Sequence, residues 1–229
     1  MPRVPLLLGG FAPFLAVSIF HLAVKLAGLV ELDRATKGLT MPALLLGVVI
    51  VLTVGRLRLR TPVLALLISA LVLSWLGDVM LPFFLVGLTC FLAAHVAYVV
   101  MFQVGFRRRP SWWAIGLVPW FAGLLLALWP YLHEIWPAVA LYGLALAGMA
   151  AWSTRGNAFT TIGGALFVAS DSLLAFRIFT PLFQTPPEDT LIMGLYLAAQ
   201  LVIVLGVLRT AVPRVPRAGR PAVDAAAAA

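Results

Sequence analysis

Residues 62–80 read PVLALLISALVLSWLGDVM. A proline opens the run, no lysine or arginine interrupts it, and its first charge is Asp78, close to the end. An α-helix needs about 20 predominantly apolar residues to cross a bilayer, and proline is at home in a helix's first turn. The run therefore reads as a membrane-spanning helix that ends with an aspartate in SWLGDVML (74–81). A second stretch, GGALFVASDSLLAF (163–176), carries Asp171 in the same manner, with more apolar residues after it. A charge deep in a membrane helix costs about 2.5–3.5 kcal/mol on insertion scales, and such residues mark function by default. The two aspartates are the first candidates for a functional site.

The rest of the chain has the same character. Of 229 residues, 63% are hydrophobic and 10% charged, and the mean hydropathy is +1.07. A soluble domain carries about a quarter charged residues. The expected class is an all-α membrane protein with no separate soluble domain. The single cysteine, Cys90, lies in an apolar run, which excludes a disulfide framework and a cysteine metal site. The formal net charge of +8 would suit nucleic acid, but the basic residues flank apolar runs, so membrane lipids and no nucleic acid are the expected partners. The first apolar run is too long for a signal-peptide core and reads as an uncleaved span.

Apolar runs and their breakers predict a bundle of about eight transmembrane helices. They extend from about Pro5 to Gly28, Gly38 to Gly55, Pro62 to Met80, Pro82 to Phe106, Trp112 to Trp129, Ile135 to Ser153, Ala158 to Phe179 and Thr190 to Thr210. Pro62, Pro82, Pro110 and Pro130 stand at the expected boundaries. Residues 1–210 form one transmembrane helical domain on this reading, and 211–229 a basic, Pro/Ala-rich tail expected to be disordered. The arginines within 56–60, 107–109 and 209–220, with Arg3 and Arg155, fall at one end of the spans. Arg34, Lys37 and Arg177 fall at the other, with most of the acidic residues. Cytoplasmic loops are enriched in Lys and Arg, so both termini are expected to be cytoplasmic and the protein to be a multi-pass protein of the plasma membrane.

Depth along each span places the polar residues. At about 1.5 Å per residue, Asp78 lies about 24 Å from the Arg-rich start of its run, Asp171 about 20 Å, His21 about 24 Å, and Tyr196 about 9 Å below the far end. These four share one layer beneath the outer interface, with Lys25 and Lys37 a few ångströms higher. Either lysine could be a snorkelling anchor or a phosphate contact. His95 and Tyr98, three residues apart on one helical face, lie deeper; a satisfied core histidine is the plain alternative to a functional one. Ser170 could simply bond back to its own helix, and Tyr196 and Gln200 could tie helices together or touch substrate. Gly163, Gly164, Phe167, Asp171 and Leu174 form a stripe whose small residues admit a close neighbouring helix. No HxxxH or HxxE spacing is present, so neither a metal nor another cofactor is expected.

The stretches TKGLTMPALL (36–45), LGDVML (76–81), FLAAHVAYVVMF (91–102), GGALFVASDSLLAF (163–176) and GLYLAAQLVIVLG (194–206), in that order, resemble the YhhN/TMEM86 family. The resemblance covers roughly residues 36–206; where that family usually has a proline after the motif lysine, Gly38 follows Lys37. It implies about eight helices and a lysoplasmalogenase, a hydrolase that splits the vinyl ether of a lysoplasmalogen into a fatty aldehyde and glycerophosphoethanolamine or glycerophosphocholine. By motif match it carries over Lys37, Asp78, His95, Tyr98, Ser170, Asp171, Tyr196 and Gln200; Lys25 and His21 join them as substrate-binding candidates on depth alone.

That chemistry needs a proton donor for the outer alkene carbon and an anion for the resulting oxocarbenium ion and its attacking water. Two carboxyl groups supply both when their environments separate their protonation, as in glycoside hydrolysis. Asp171, flanked by more apolar sequence, is the expected acid and Asp78 the base or cation stabiliser. Three rivals remain. An intramembrane aspartyl protease would need GxGD, whereas this chain has WLGD and its second aspartate in ASDS. A proton-coupled transporter would use Asp78, Asp171 and His95 as a relay but would normally show repeated broken helices. A non-catalytic lipid-binding protein is the third.

Overall fold

The computed structural model describes residues 4–214. Eight α-helices follow one another: α1 (Val4–Leu26), α2 (Val30–Val54), α3 (Thr61–Met80), α4 (Phe84–Gly105), α5 (Leu117–Leu132), α6 (Trp136–Ser153), α7 (Ala158–Phe179) and α8 (Pro186–Leu208). Among the described residues, seven segments are long and apolar enough to cross a membrane. One of them, Trp112–Ser153, is not a single rod. His133 takes φ +43° and breaks it, and α5 folds back onto α6. The protein is an α-helical integral membrane protein.

The spans begin and end where helix chemistry allows, which is not always where hydropathy changes. α2 starts at Val30 rather than Gly38. The charged stretch before Gly38 ends the apolar run but not the helix, because Glu31 and Asp33 occupy the first turn, where carboxylates complement the helix dipole. Lys37 and Gly38 therefore sit inside α2, and the missing proline is met by continuous helix. α8 likewise starts four residues early, at Pro186, behind Thr185, whose amide and hydroxyl both donate to Glu188 (2.9 and 2.7 Å). Pro130 lies within α5 instead of ending it, and the segment from Trp112 opens as a 3-10 turn through Gly116.

Hairpins α1–α2, α3–α4 and α7–α8 pack most extensively; α2–α3, α4–α6, α6–α7 and α1–α8 then close a ring, and α5 lies outside it against α6 and α7. The glycine stripe of α7 makes two of these approaches. A Cβ on Gly163 would stand 3.0 Å from the Ala199 carbonyl of α8, and one on Gly164 would strike Ser153 of α6. Asn157 caps α7, accepting from the Phe159 amide (3.0 Å) and donating to the Gly206 carbonyl of α8 (2.9 Å). At the Arg-rich end, Arg60 and Arg155 donate to the carbonyls of Val104 (3.0 Å) and Phe106 (2.9 Å) at the close of α4. Such bonds satisfy carbonyls that a helix end leaves open. Beyond α8, Val212–Pro213 pairs antiparallel with Leu57–Arg58; residues 215–229 of the expected tail lie outside the described residues.

Candidate active site

Asp78 sits at the acidic end of α3, almost fully buried, between two partners from other helices. The Tyr196 hydroxyl of α8 donates to its Oδ2 at 2.8 Å, and the Lys37 ammonium of α2 lies 3.2 Å from its Oδ1. Local packing aims these groups. Gly77 lies against the Phe91 ring, which a Cβ would meet at 2.7 Å, so α3 and α4 approach closely just below the aspartate. The Trp75 indole donates to the Gly38 carbonyl at 2.9 Å, clamping α3 to the turn of α2 that carries Lys37.

Asp171 lies in α7, buried, with different company. The Tyr142 hydroxyl of α6 donates to its Oδ2, and His95 Nε2 of α4 stands 3.9 Å from the same oxygen, beyond hydrogen-bonding distance. Among the described residues no lysine or arginine pairs with it. Ser170 does not bond back within α7; its hydroxyl donates across to the Ile192 carbonyl of α8 at 2.9 Å. One turn deeper, Phe167 wedges edge-on between His95 (5.0 Å) and Tyr196 (5.5 Å), forming a floor beneath both aspartates.

Above that floor is a cleft of about 280 Å³ into which both aspartates face, together with Lys37, Tyr142, Ser170 and Tyr196. Its rim is an ion network. Lys25 of α1 pairs with Asp33 of α2 (3.1 Å) and Asp189 of α8 (2.6 Å), and Arg177 of α7 pairs with the other oxygen of Asp189 (3.1 Å). Arg177 also donates to the Phe183 carbonyl at 2.6 Å, fixing the α7–α8 loop over the rim. Lys25 is thus no snorkelling anchor: its side chain is only 10% exposed and neutralises two carboxylates. In a medium that excludes water, such pairs persist because separating them leaves buried charge.

The structure brings Lys25, Lys37, Asp78, Ser170, Asp171 and Tyr196 to one cleft and leaves four predicted residues behind its walls. His21 is fully buried, hydrogen-bonded to Thr36 Oγ1 at 2.8 Å. Equal depth did not bring it to the aspartates, because depth along a helix says nothing about which way a side chain turns. Tyr98 donates to Gln200 Oε1 beneath the floor, joining α4 to α8. His95 lies beside Asp171 without lining the cleft. Four polar or charged cleft residues were not among the sequence candidates: Tyr142, Asp33, Arg177 and Asp189. Tyr142 had a readable signal, since it falls about 10 Å below the outer end of its span, at the depth of Tyr196. The other three had entered only as charges for orientation. Among the described residues no three metal-ligating side chains gather.

The cleft thus offers a carboxylate held beside an ammonium and a carboxyl group held by a phenol, under a rim of fixed charges of both signs. Among curated proteins, the chain is 35% identical over 164 residues to human (Homo sapiens) lysoplasmalogenase TMEM86B, which covers 65% of this chain and 66% of that one. It is 33% identical over 154 residues to pig (Sus scrofa) lysoplasmalogenase TMEM86B, covering 61% and 62%. The matches therefore span just under two thirds of the length of these relatives. No solved structure matches the chain. The sequence profile of the YhhN family matches residues 32–207, a stretch that holds both aspartates and every cleft partner described above except Lys25, and the chain belongs to that family.

Proposed function

We propose that this protein is a lysoplasmalogenase of the plasma membrane. Its substrate is a lysoplasmalogen, lysoplasmenylethanolamine or lysoplasmenylcholine; its products are a fatty aldehyde and glycerophosphoethanolamine or glycerophosphocholine. The observation that carries this reading is the unequal pair in one cleft: Asp78 beside Lys37 and Asp171 beside Tyr142. The two named relatives support it.

The pairing supports the following roles. Asp78, with an ammonium at 3.2 Å, is the carboxylate. Asp171, with a phenol on Oδ2, carries its proton on Oδ1 and is the general acid. Proton transfer from Asp171 to the outer alkene carbon breaks the carbon–carbon π bond and leaves an oxocarbenium ion. Asp78 stabilises that cation and takes a proton from the water that adds to it. The hemiacetal then collapses, its hydroxyl proton ending on the glycerol oxygen that leaves, and return of the proton from Asp78 to Asp171 resets the pair. One water is consumed and no other reactant is needed. Lys25, Lys37 and Arg177, each already paired with a carboxylate, are the rim donors within reach of the phosphate; Ser170 and Tyr196 shape the wall beside the reacting bond. His21, His95, Tyr98 and Gln200 act behind that wall as supports.

The test is direct. Purified protein in lipid nanodiscs is given lysoplasmenylethanolamine, and free aldehyde is measured against the saturated ether analogue. Aldehyde from the vinyl ether alone is expected. No aldehyde, or equal cleavage of the saturated ether, refutes the assignment.

A further inference from the structure

The charged cleft is not the only hollow that reaches Asp171. An apolar groove of about 50 Å³ lies among the outer parts of α4, α6 and α7, walled by Phe84, Leu88, Val139, Ala175 and Phe179. Six residues, Leu81, Phe91, Tyr142, Asp171, Leu174 and Ile178, belong to both hollows, so cleft and groove adjoin along a shared wall. The division of charge between them is sharp. Lys25, Asp33, Lys37, Asp78, Arg177 and Asp189 all lie on the cleft side; among the described residues, Asp171 is the one carboxyl group of the groove. At the groove's far end Phe84 meets Phe179 edge-on at 5.7 Å, and Ile178 on its rim is 41% exposed.

We propose that this groove holds the first carbons of the hydrocarbon chain of the single-chain lipid whose phosphate end lies in the cleft. Adjoining hollows, one charged and one apolar, match an amphiphile in one orientation only. The two shared polar groups, Asp171 and Tyr142, stand at the changeover, where head meets chain. The placement of the scissile bond there rests on the vinyl ether reading; the seat of the chain does not. Bilayer tails are as apolar as the groove, so seating the chain gives little affinity. What the groove provides is register, holding the first chain carbons beside Asp171. A third hollow, between α5, α6 and α7, also touches Asp171 and Tyr142, but shares no other residue with the cleft.

The probe is a saturated, ether-linked lysophosphoethanolamine with a photoactivatable diazirine near the head end of its chain, bound to the full-length protein in nanodiscs. Mass spectrometry maps the labelled residues. Labelling of α4 and α7 around Leu88 and Leu174 is expected. It should fall severalfold in Leu88→Trp, which fills the groove, and persist in Leu125→Trp, which fills the α5-side hollow. Leu88→Phe is the milder variant if the tryptophan lowers the unfolding temperature. Labelling that follows Leu125→Trp, or is indifferent to both substitutions, overturns the proposal. Because the probe cannot be hydrolysed, the two readings fail separately. Leu88-dependent labelling without aldehyde release refutes the lysoplasmalogenase and keeps the groove; aldehyde release with labelling blind to Leu88 does the reverse.

Discussion

Replacing Tyr142 with phenylalanine removes one hydroxyl from the candidate active site, the one that donates to Asp171 Oδ2. The ring remains, and with it the edge-on contact to His95 at 5.3 Å, so packing of α6 against α4 is retained. If Asp171 is the acid, the hydroxyl first meets a neutral carboxyl group and then, as the proton leaves, a carboxylate. A neutral hydrogen bond contributes about 0.5–1.5 kcal/mol and one to a charged group about 1.5–3 kcal/mol. The gain on crossing to the transition state is therefore about 1–2 kcal/mol, a factor of roughly 5–30 in rate. Removing an interaction that strengthens only there lowers kcat without raising KM. The assay is the steady-state release of aldehyde from lysoplasmenylethanolamine in nanodiscs, with thermal unfolding to confirm the fold. An unchanged kcat, or a loss confined to KM, refutes Asp171 as the proton donor, and Tyr142 would then be a structural clasp between α6 and α7.

Asp171→Asn keeps the shape but has no proton to give; turnover should fall by about 10²–10⁴-fold, the usual worth of general acid–base catalysis, with the unfolding temperature held, and wild-type-like turnover counts against the acid role. Lys37→Met leaves Asp78 without its ammonium, and breaking a buried pair costs about 3–5 kcal/mol, so unfolding temperature should drop clearly; adding Asp78→Asn should recover much of it, and a double variant no more stable than the single one sinks the pairing. Gly163→Ala forces a methyl against the Ala199 carbonyl of α8 and should destabilise by about 1–3 kcal/mol. Gly38→Ala, where nothing lies within 4 Å, should instead stabilise by about 0.5–1 kcal/mol; equal effects of the two in thermal unfolding would contradict the packing of α7 on α8.

Much of this arrangement was legible before the structure. Asp78 and Asp171 were placed at one depth by counting residues, and that worked because α3 and α7 both run from the Arg-rich end and both are unbroken over the counted length. The glycine stripe of α7 was readable for a related reason: small residues at helical spacing make one face, and one face meets one neighbour. His21 shows the boundary of the method, since height without azimuth cannot say which residues of a layer meet. α2 shows another. Hydropathy locates the bilayer, whereas Glu31 and Asp33 extend the helix past it. The rim network needed the fold itself, because Lys25 and Asp189 are 164 positions apart and nothing local links them.

Ring closure has a consequence for how the protein is made. The hairpins α1–α2, α3–α4 and α7–α8 are local and can pair as soon as each has been threaded into the bilayer, but α1 meets α8 only at the end of synthesis. Asp78 waits for Tyr196, 118 residues later in the chain, and Lys25 waits longer for Asp189. Until α8 arrives, Asp78 has Lys37 and Lys25 has Asp33, both from α2, while Arg177 of α7 still lacks Asp189, the carboxylate it pairs with. The last helix therefore completes the cleft, bringing Tyr196 and Asp189 to charges already in place on earlier helices. A chain truncated before α8 would lack both the α1–α8 closure of the ring and the α8 side of the cleft, so that ring and cleft are completed together.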